Sequence, residues 1–243
     1  MDDVVEVTLP GETRQVPFGT PIVQLLGATG KAAPLAAIMN GETVGLAKRI
    51  TEPVTLTPLY LADRSGYAVY ARSVAFLLVL AVRETWPDAT VEVEHAINNE
   101  IAVAITDDHS LTDADVLLVR DAMRDLVARD LPIERVKVKR DEAISIFEAS
   151  GMTDKLEVMR HANRTYLTLY RCLDLYDYFY GALVPSTGYL HTFDLVPFGG
   201  GADDPGDMVV SPARNRRGGC RQRRDRMDHP PAFGLRHPGK SRQ

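Results

Sequence analysis

The string Gly234 to Ser241, GLRHPGKS, fits the pattern G-x-x-x-x-G-K-[ST], the spacing at which a glycine-rich loop cradles phosphates. That chemistry needs a buried strand ahead of the loop and a helix behind it to donate backbone N–H groups. PPAF precedes the string, and Arg242 and Gln243 follow it, so the match reads as coincidence and ATP binding is not expected. Cys172 and Cys220 lie in distant segments and form no metal or redox motif; both are expected as reduced thiols. His95, His109, His161 and His191 are scattered and have no Ser or Cys nucleophile in evident partnership. None of these groups, taken alone, announces a catalytic centre.

The elements that must position any site centre on Gly66 to Pro87, GYAVYARSVAFLLVLAVRETWP. Its run from Val74 to Val82 is apolar throughout, as in a helix buried on nearly every side. A membrane span needs about 20 such residues, so this stretch is expected to be a core helix and no membrane partner is expected. Ser65 is placed to cap its first turn and Pro87 to stop it. The chain of 243 residues is 45% hydrophobic and 25% charged, which suits one large domain or two small ones. Its opening, MDDVVEVTLP, is acidic and lacks an apolar run, and a cytoplasmic location is expected. The net charge of −5 is uneven: Ser211 to Gln243 carry ten Lys or Arg against two Asp, on an otherwise acidic body.

From Val4 to about residue 60 the pattern is strand-rich. VVEVTLP and TRQVPF alternate around Gly11-Glu12, and PIVQLLGATG makes a short helix capped by Thr20. PLAAIMNGETVGLAKRI offers two strands around Asn40-Gly41, followed by VTLTPLYLA. This is β-grasp-like order. After the central helix, ATVEVEHAINNEIAVAI forms a strand pair, and Ser110 opens an amphipathic helix ended by Pro132. ERVKVKR reads as an edge strand, DEAISIFEASG and DKLEVMRHA as short helices, and TYLTLYRCLDLYDYFYG and STGYLHTFDLVPF as the last strands. The whole is α+β. Beyond Phe198 periodicity is lost, and disorder is expected.

These segments resemble two known modules. Residues 1–62 look like a TGS domain, the ubiquitin-like module of threonyl-tRNA synthetases and GTPase relatives, most plainly in MNGETVGLAKRI. Residues 63–198 resemble the second additional domain of threonyl- and alanyl-tRNA synthetases, through ARSVAFLLVLAVRETWP, LPIERVKVKRDEAISIF, DKLEVMR and DYFYGALVPSTGYLHTFDL. VEVEH, DYFYG and LVPSTGYL are closest to the N-terminal half of uridine-kinase-like nucleoside kinases, so a kinase domain is expected in full-length relatives. Residues 199–243 are then a basic tail, either an arginine-rich arm for RNA or a terminus cut by a shifted frame or truncation. From residue 204 onward the chain is expected to be dispensable for folding.

In the synthetase editing domains that this region resembles, a His-x-x-x-His on the central helix and a Cys-x-x-x-His before a Val-Pro supply four metal ligands. Placed on Trp86-Pro87 and Val184-Pro185, those positions are Arg72, Phe76, Phe179 and Leu183. None is an N or S donor suited to zinc, so no metal and no cofactor is expected. Arg72 is expected at the mouth of the vacated pocket, near His95 and the pair Tyr178 and Tyr180. A cation beside stacking rings suits a nucleotide or a tRNA end; the alternative is a salt-bridged Arg72 and packed tyrosines. The resemblance therefore implies a non-catalytic RNA- or nucleotide-sensing N-terminal region of a uridine-kinase-like nucleoside kinase, without its kinase domain. The alternatives are an enzyme, either a freestanding aminoacyl-tRNA deacylase or the uridine kinase itself, and a plain interaction module.

Overall fold

The computed structural model describes residues 4–27, 32–87, 89–97, 100–106, 112–150, 152, 156, 159–160, 164–198 and 207–212. Strands β1 (Val4–Leu9) and β2 (Glu12–Pro17) form an antiparallel hairpin through Gly11, whose φ of 89° suits a residue without a Cβ. The alternation of β1 is visible in its burial: Val5, Val7 and Leu9 face the core while Val4, Glu6 and Thr8 are exposed. A short β3 (Thr20–Pro21) leads into α1 (Ile22–Leu26). Thr20 does not cap this helix as expected; its hydroxyl donates to the Pro17 carbonyl at 2.7 Å, and Pro21 takes the N-cap position.

Next come β4 (Ala36–Met39), β5 (Glu42–Val44), β6 (Arg49–Ile50) and β7 (Val54–Leu59). The β4–β5 turn is Asn40-Gly41, both at positive φ, as its sequence predicts. β1 and β7 lie parallel in the middle, so the sheet order is β2-β1-β7-β4-β5, while β3 pairs with β6 at the side. This is the expected β-grasp.

Helix α2 (Arg64–Thr85) follows after one turn. Every residue from Ser73 to Val82 is buried. By length and apolarity α2 is suited to crossing a membrane, but 72% of its apolar window is buried inside the fold. Phe76, Leu77, Leu78 and Leu80 are at most 1% exposed, and each such burial stabilises by about 1.5–3 kcal/mol. The N-cap is Asp63, not Ser65, and its carboxylate is turned backwards to accept the Tyr60 N–H at 2.7 Å.

Strands β8 (Thr90–Ile97) and β9 (Glu100–Thr106) pair with a register shift between Val93 and Ala96. Helix α3 (Asp113–Arg129) starts at Thr112, where Thr112 and Asp115 exchange the bonds of a capping box. The expected cap, Ser110, lies outside the described residues. Pro132 is not what ends α3; Asp130 in the left-handed region (φ 48°) does so first. Then come β10 (Glu134–Lys139), α4 (Arg140–Ala149), β11 (Tyr166–Cys172) and β12 (Leu175–Asp177), with sheet order β10-β11-β12. Of the expected helix DKLEVMRHA, helical positions are described at Leu156, Met159 and Arg160; the rest lies outside the described residues.

A 3-10 turn (Thr187–Tyr189) precedes β13 (Asp194–Phe198) and β14 (Asp207–Ser211). The sheet order here is β13-β14-β9-β8. Structure therefore does not stop at Phe198. β14 lies between β13 and β9, antiparallel to both, and its Met208 and Val210 are fully buried. The disorder expected from residue 199 is corrected at Asp207–Ser211, and the buried side chains of β14 argue against the expected dispensability of everything from residue 204. A triplet Met-Val-Val flanked by Gly, Asp and Pro carries enough apolar surface for one strand when a buried slot awaits it. The basic stretch beyond Pro212 lies outside the described residues.

Candidate functional site

Of the four positions singled out above, Arg72 and Phe76 lie on α2 and Phe179 and Leu183 on the segment 179–184, and contacts between the two elements form a seam. Phe76 and Phe179 meet edge to face, with centroids 6.0 Å apart and planes at 73°. Phe76 and Leu183 are 0% and 3% exposed. One residue along α2 from Arg72, the buried Ser73 hydroxyl donates to the Val69 carbonyl at 2.7 Å and accepts the Val184 N–H at 3.0 Å. That single side chain fastens the segment to the helix interior. It carried no chemical motif, and a serine inside an apolar run was its one visible signal.

Arg72 lies at the edge of this seam, half-buried. Its Nη2 and Nε donate to the Ala182 carbonyl at 3.2 and 3.4 Å. The guanidinium lies against Gly181, where an added Cβ would come within 3.0 Å of Nη2 and where φ is +110°. Glycine is needed there on both counts. Burial pulls the guanidinium below its ordinary pKa, and the electrostatic influence of Tyr170 opposes that shift. Among the described residues Arg72 has no ion pair: its partner is a backbone carbonyl and not the acid of the alternative reading. Arg72→Ala is expected to lose a charge-assisted contact and destabilise the fold by about 1.5–3 kcal/mol, read as a drop in thermal midpoint. An unchanged melt would show that the Ala182 contact stabilises nothing.

The aromatic ring at this edge is Tyr170 of β11, which sequence reasoning did not single out. Its hydroxyl donates to the Gly181 carbonyl at 2.6 Å, and burial raises its pKa. Tyr178 is half-buried just past β12, and Tyr180 is 90% exposed. His95 lies on β8, inside the register shift; its side chain, and with it the expected approach to Arg72, lies outside the described residues. Cys172 is a buried free thiol whose pKa is pushed up to about 11, chiefly by burial, which makes it a poor nucleophile at neutral pH.

A second fastening holds the PSTGYL segment. Asp130 Oδ1 accepts the Ser186 hydroxyl at 2.5 Å and the Gly188 N–H at 3.1 Å. The buried Thr187 hydroxyl donates to the Leu126 carbonyl at 2.6 Å and accepts the Leu131 N–H at 2.8 Å. These bonds engage one C-terminal carbonyl of α3 and the two residues that follow the helix, so the VPSTGYL motif serves here to pin one element on another.

The seam cannot hold a metal through these side chains: two phenyl rings, an isobutyl group and a guanidinium are not donors. Among the described residues no three His, Cys, Asp or Glu converge as a metal site. What the seam offers instead is packing with a cation at its rim.

No family model matches the sequence. The chain is 32% identical over 176 residues, 72% of its length, to the threonine–tRNA ligase of Methylobacillus flagellatus, and covers 28% of that protein. The threonine–tRNA ligase of Methylococcus capsulatus is 31% identical over 199 residues, 80% of this chain and 31% of the relative. That of Ralstonia nicotianae is 30% identical over 202 residues, 81% of this chain and 32% of the relative. The chain thus spans less than a third of the length of the curated relatives it matches. These relatives lend no support to the expected link with uridine kinases, nor to a kinase domain in full-length relatives. Its α+β fold and its sequence make this chain a tRNA-synthetase-like region.

Proposed function

We propose that this chain is an RNA-binding region of the threonine–tRNA ligase type that does not itself catalyse hydrolysis or ligation. The observation that carries the reading is the seam of Arg72, Phe76, Phe179 and Leu183. There, of the positions that the resemblance assigns to metal ligands, Phe76 and Phe179 meet in ring contact, Leu183 is buried, and Arg72 donates to a backbone carbonyl. The relatives named above support tRNA as the ligand class, because they are named for ligating threonine to tRNA. The division into a TGS-like unit over 1–62 and an editing-like unit from residue 63 is part of the proposal. That boundary falls in the turn between β7 and α2. A reducing, cytoplasmic location belongs to it as well, consistent with the free thiol of Cys172.

The test uses the full chain. Filter binding with unfractionated tRNA is expected to show saturable binding that weakens with salt. Incubation with aminoacylated tRNA is expected to show no hydrolysis above background, and elemental analysis well under one zinc per chain. Hydrolysis abolished by a chelator would overturn the non-catalytic reading; absence of tRNA binding would overturn the RNA reading.

A further inference from the structure

The β10-β11-β12 sheet has two unlike faces. On one, Val136 and Val138 pair across with Leu169 and Leu167 and turn inward, where α4 contributes buried Ala143 and Phe147. On the other, alternation places Arg135, Lys137 and Lys139 in a row, opposite Tyr170, Thr168 and Tyr166. All three cations are exposed, and β10 lies at the sheet edge. The Lys137 ammonium lies 4.8 Å from the centroid of the Tyr166 ring, and Tyr166 is 47% exposed.

The row runs into a cleft of about 230 Å³ lined by Lys139, Arg140, Asp141, Arg164 and Thr165. The Arg140 N–H donates to the Thr165 carbonyl at 3.0 Å, which fixes the approach to β11 against the start of α4. Asp141, the acid in the cleft, is 91% exposed and sits 3.6 Å from Arg140 Nε. Exposed Glu142 follows it, while Glu134 at the far end of β10 is taken by Arg171. Five cations therefore face one pair of solvated acids, on a protein whose net charge is −5. Like charges side by side on a strand repel, and an anion laid along them removes that cost.

We propose that this face is a binding track for single-stranded RNA. Arg135, Lys137, Lys139, Arg140 and Arg164 take successive phosphates, and Tyr166 supplies a stacking surface for a base. Alternate residues of a strand stand about 6.6 Å apart, close to the separation of neighbouring phosphates in an extended single strand. An exposed ring among regularly spaced cations suits a nucleic acid strand. The track rests on the RNA-binding reading above and assigns it a surface that starts beside the α2 seam, where Tyr170 lies between Arg135 and Arg72, and runs from there toward α4.

The test is fluorescence anisotropy of the full chain with a labelled single-stranded oligoribonucleotide of about a dozen mixed residues. Lys139→Gln with Arg164→Gln is expected to weaken binding more than tenfold and to lower the salt slope by about 1.4. Tyr166→Ala is expected to weaken it about tenfold with the salt slope unchanged. Arg14→Gln with Arg124→Gln, an equal charge change on exposed sites elsewhere, is expected to bind as wild type. All of these sites are exposed, so thermal melts should coincide. Wild-type affinity in the first double variant, or an equal loss in the control pair, overturns the track while leaving tRNA binding standing. A wild-type chain that binds neither oligoribonucleotide nor tRNA sinks both.

Discussion

Ending the chain at Phe198 is expected to lower the thermal midpoint by about 6–24 °C relative to a chain ending at Pro212. The two differ by β14 and the connection that leads to it. Met208 and Val210 are each 0% exposed, and burying two such side chains stabilises by about 3–6 kcal/mol. Removing β14 also strips β9 and β13 of their shared neighbour, so the inner edges of both strands return to water. For a domain of this size each kcal/mol is worth about 2–4 °C. Met208→Asp in the full chain should act in the same direction, because it places a carboxylate where no charge can be solvated. Coincident melts of the two truncations would mean that β14 contributes nothing to the fold.

Gly66→Ala is expected to cost about 3 kcal/mol or more, although alanine favours a helix over glycine by about 1 kcal/mol. A Cβ at Gly66 would fall 1.9 Å from the Tyr60 carbonyl oxygen and 2.7 Å from its carbon. Both atoms are backbone, and the Tyr60 N–H is itself tied to Asp63, so no rotamer change relieves the overlap. Either α2 slides or the turn that joins it to β7 opens. Gly45→Ala is the matched control, since its added Cβ would meet nothing closer than 3.6 Å. Denaturant unfolding of both variants checks the expectation: a Gly66→Ala midpoint equal to that of Gly45→Ala would show that the turn yields freely.

Most of the ladder was legible in the sequence because its cues are local. The alternation of Val5, Val7 and Leu9, the Asn40-Gly41 turn and the unbroken apolar run of α2 each name their own element. Cap positions were less legible, since Ser65 and Thr112 look alike until a partner such as Asp115 returns the bond. β14 escaped because a short apolar triplet means little by itself; the slot between β9 and β13 gives it meaning. The interest of Arg72, Phe76, Phe179 and Leu183 came from a resemblance, and of these the structure puts Phe76 and Phe179 in direct contact. The partner of Arg72 could not be read at all, because a backbone carbonyl leaves no mark in the residue type. Nor could Tyr170, which looks like any strand tyrosine until Gly181 and Arg72 are placed beside it.

The position of β14 also sets the order in which the molecule can be assembled. Val103 of β9 pairs with Met208, so during synthesis β9 waits for about one hundred further residues, or roughly 5–20 s at ribosomal rates. The β-grasp unit and the β8–β9 hairpin draw on near neighbours and can form early. Throughout that interval β9 presents an unpaired edge with apolar Ile101 and Ile105 beside it, the kind of template on which nascent chains join one another. Closure of this sheet is thus a late event, and a ribosome that stalls between β9 and β14 releases a chain prone to aggregate.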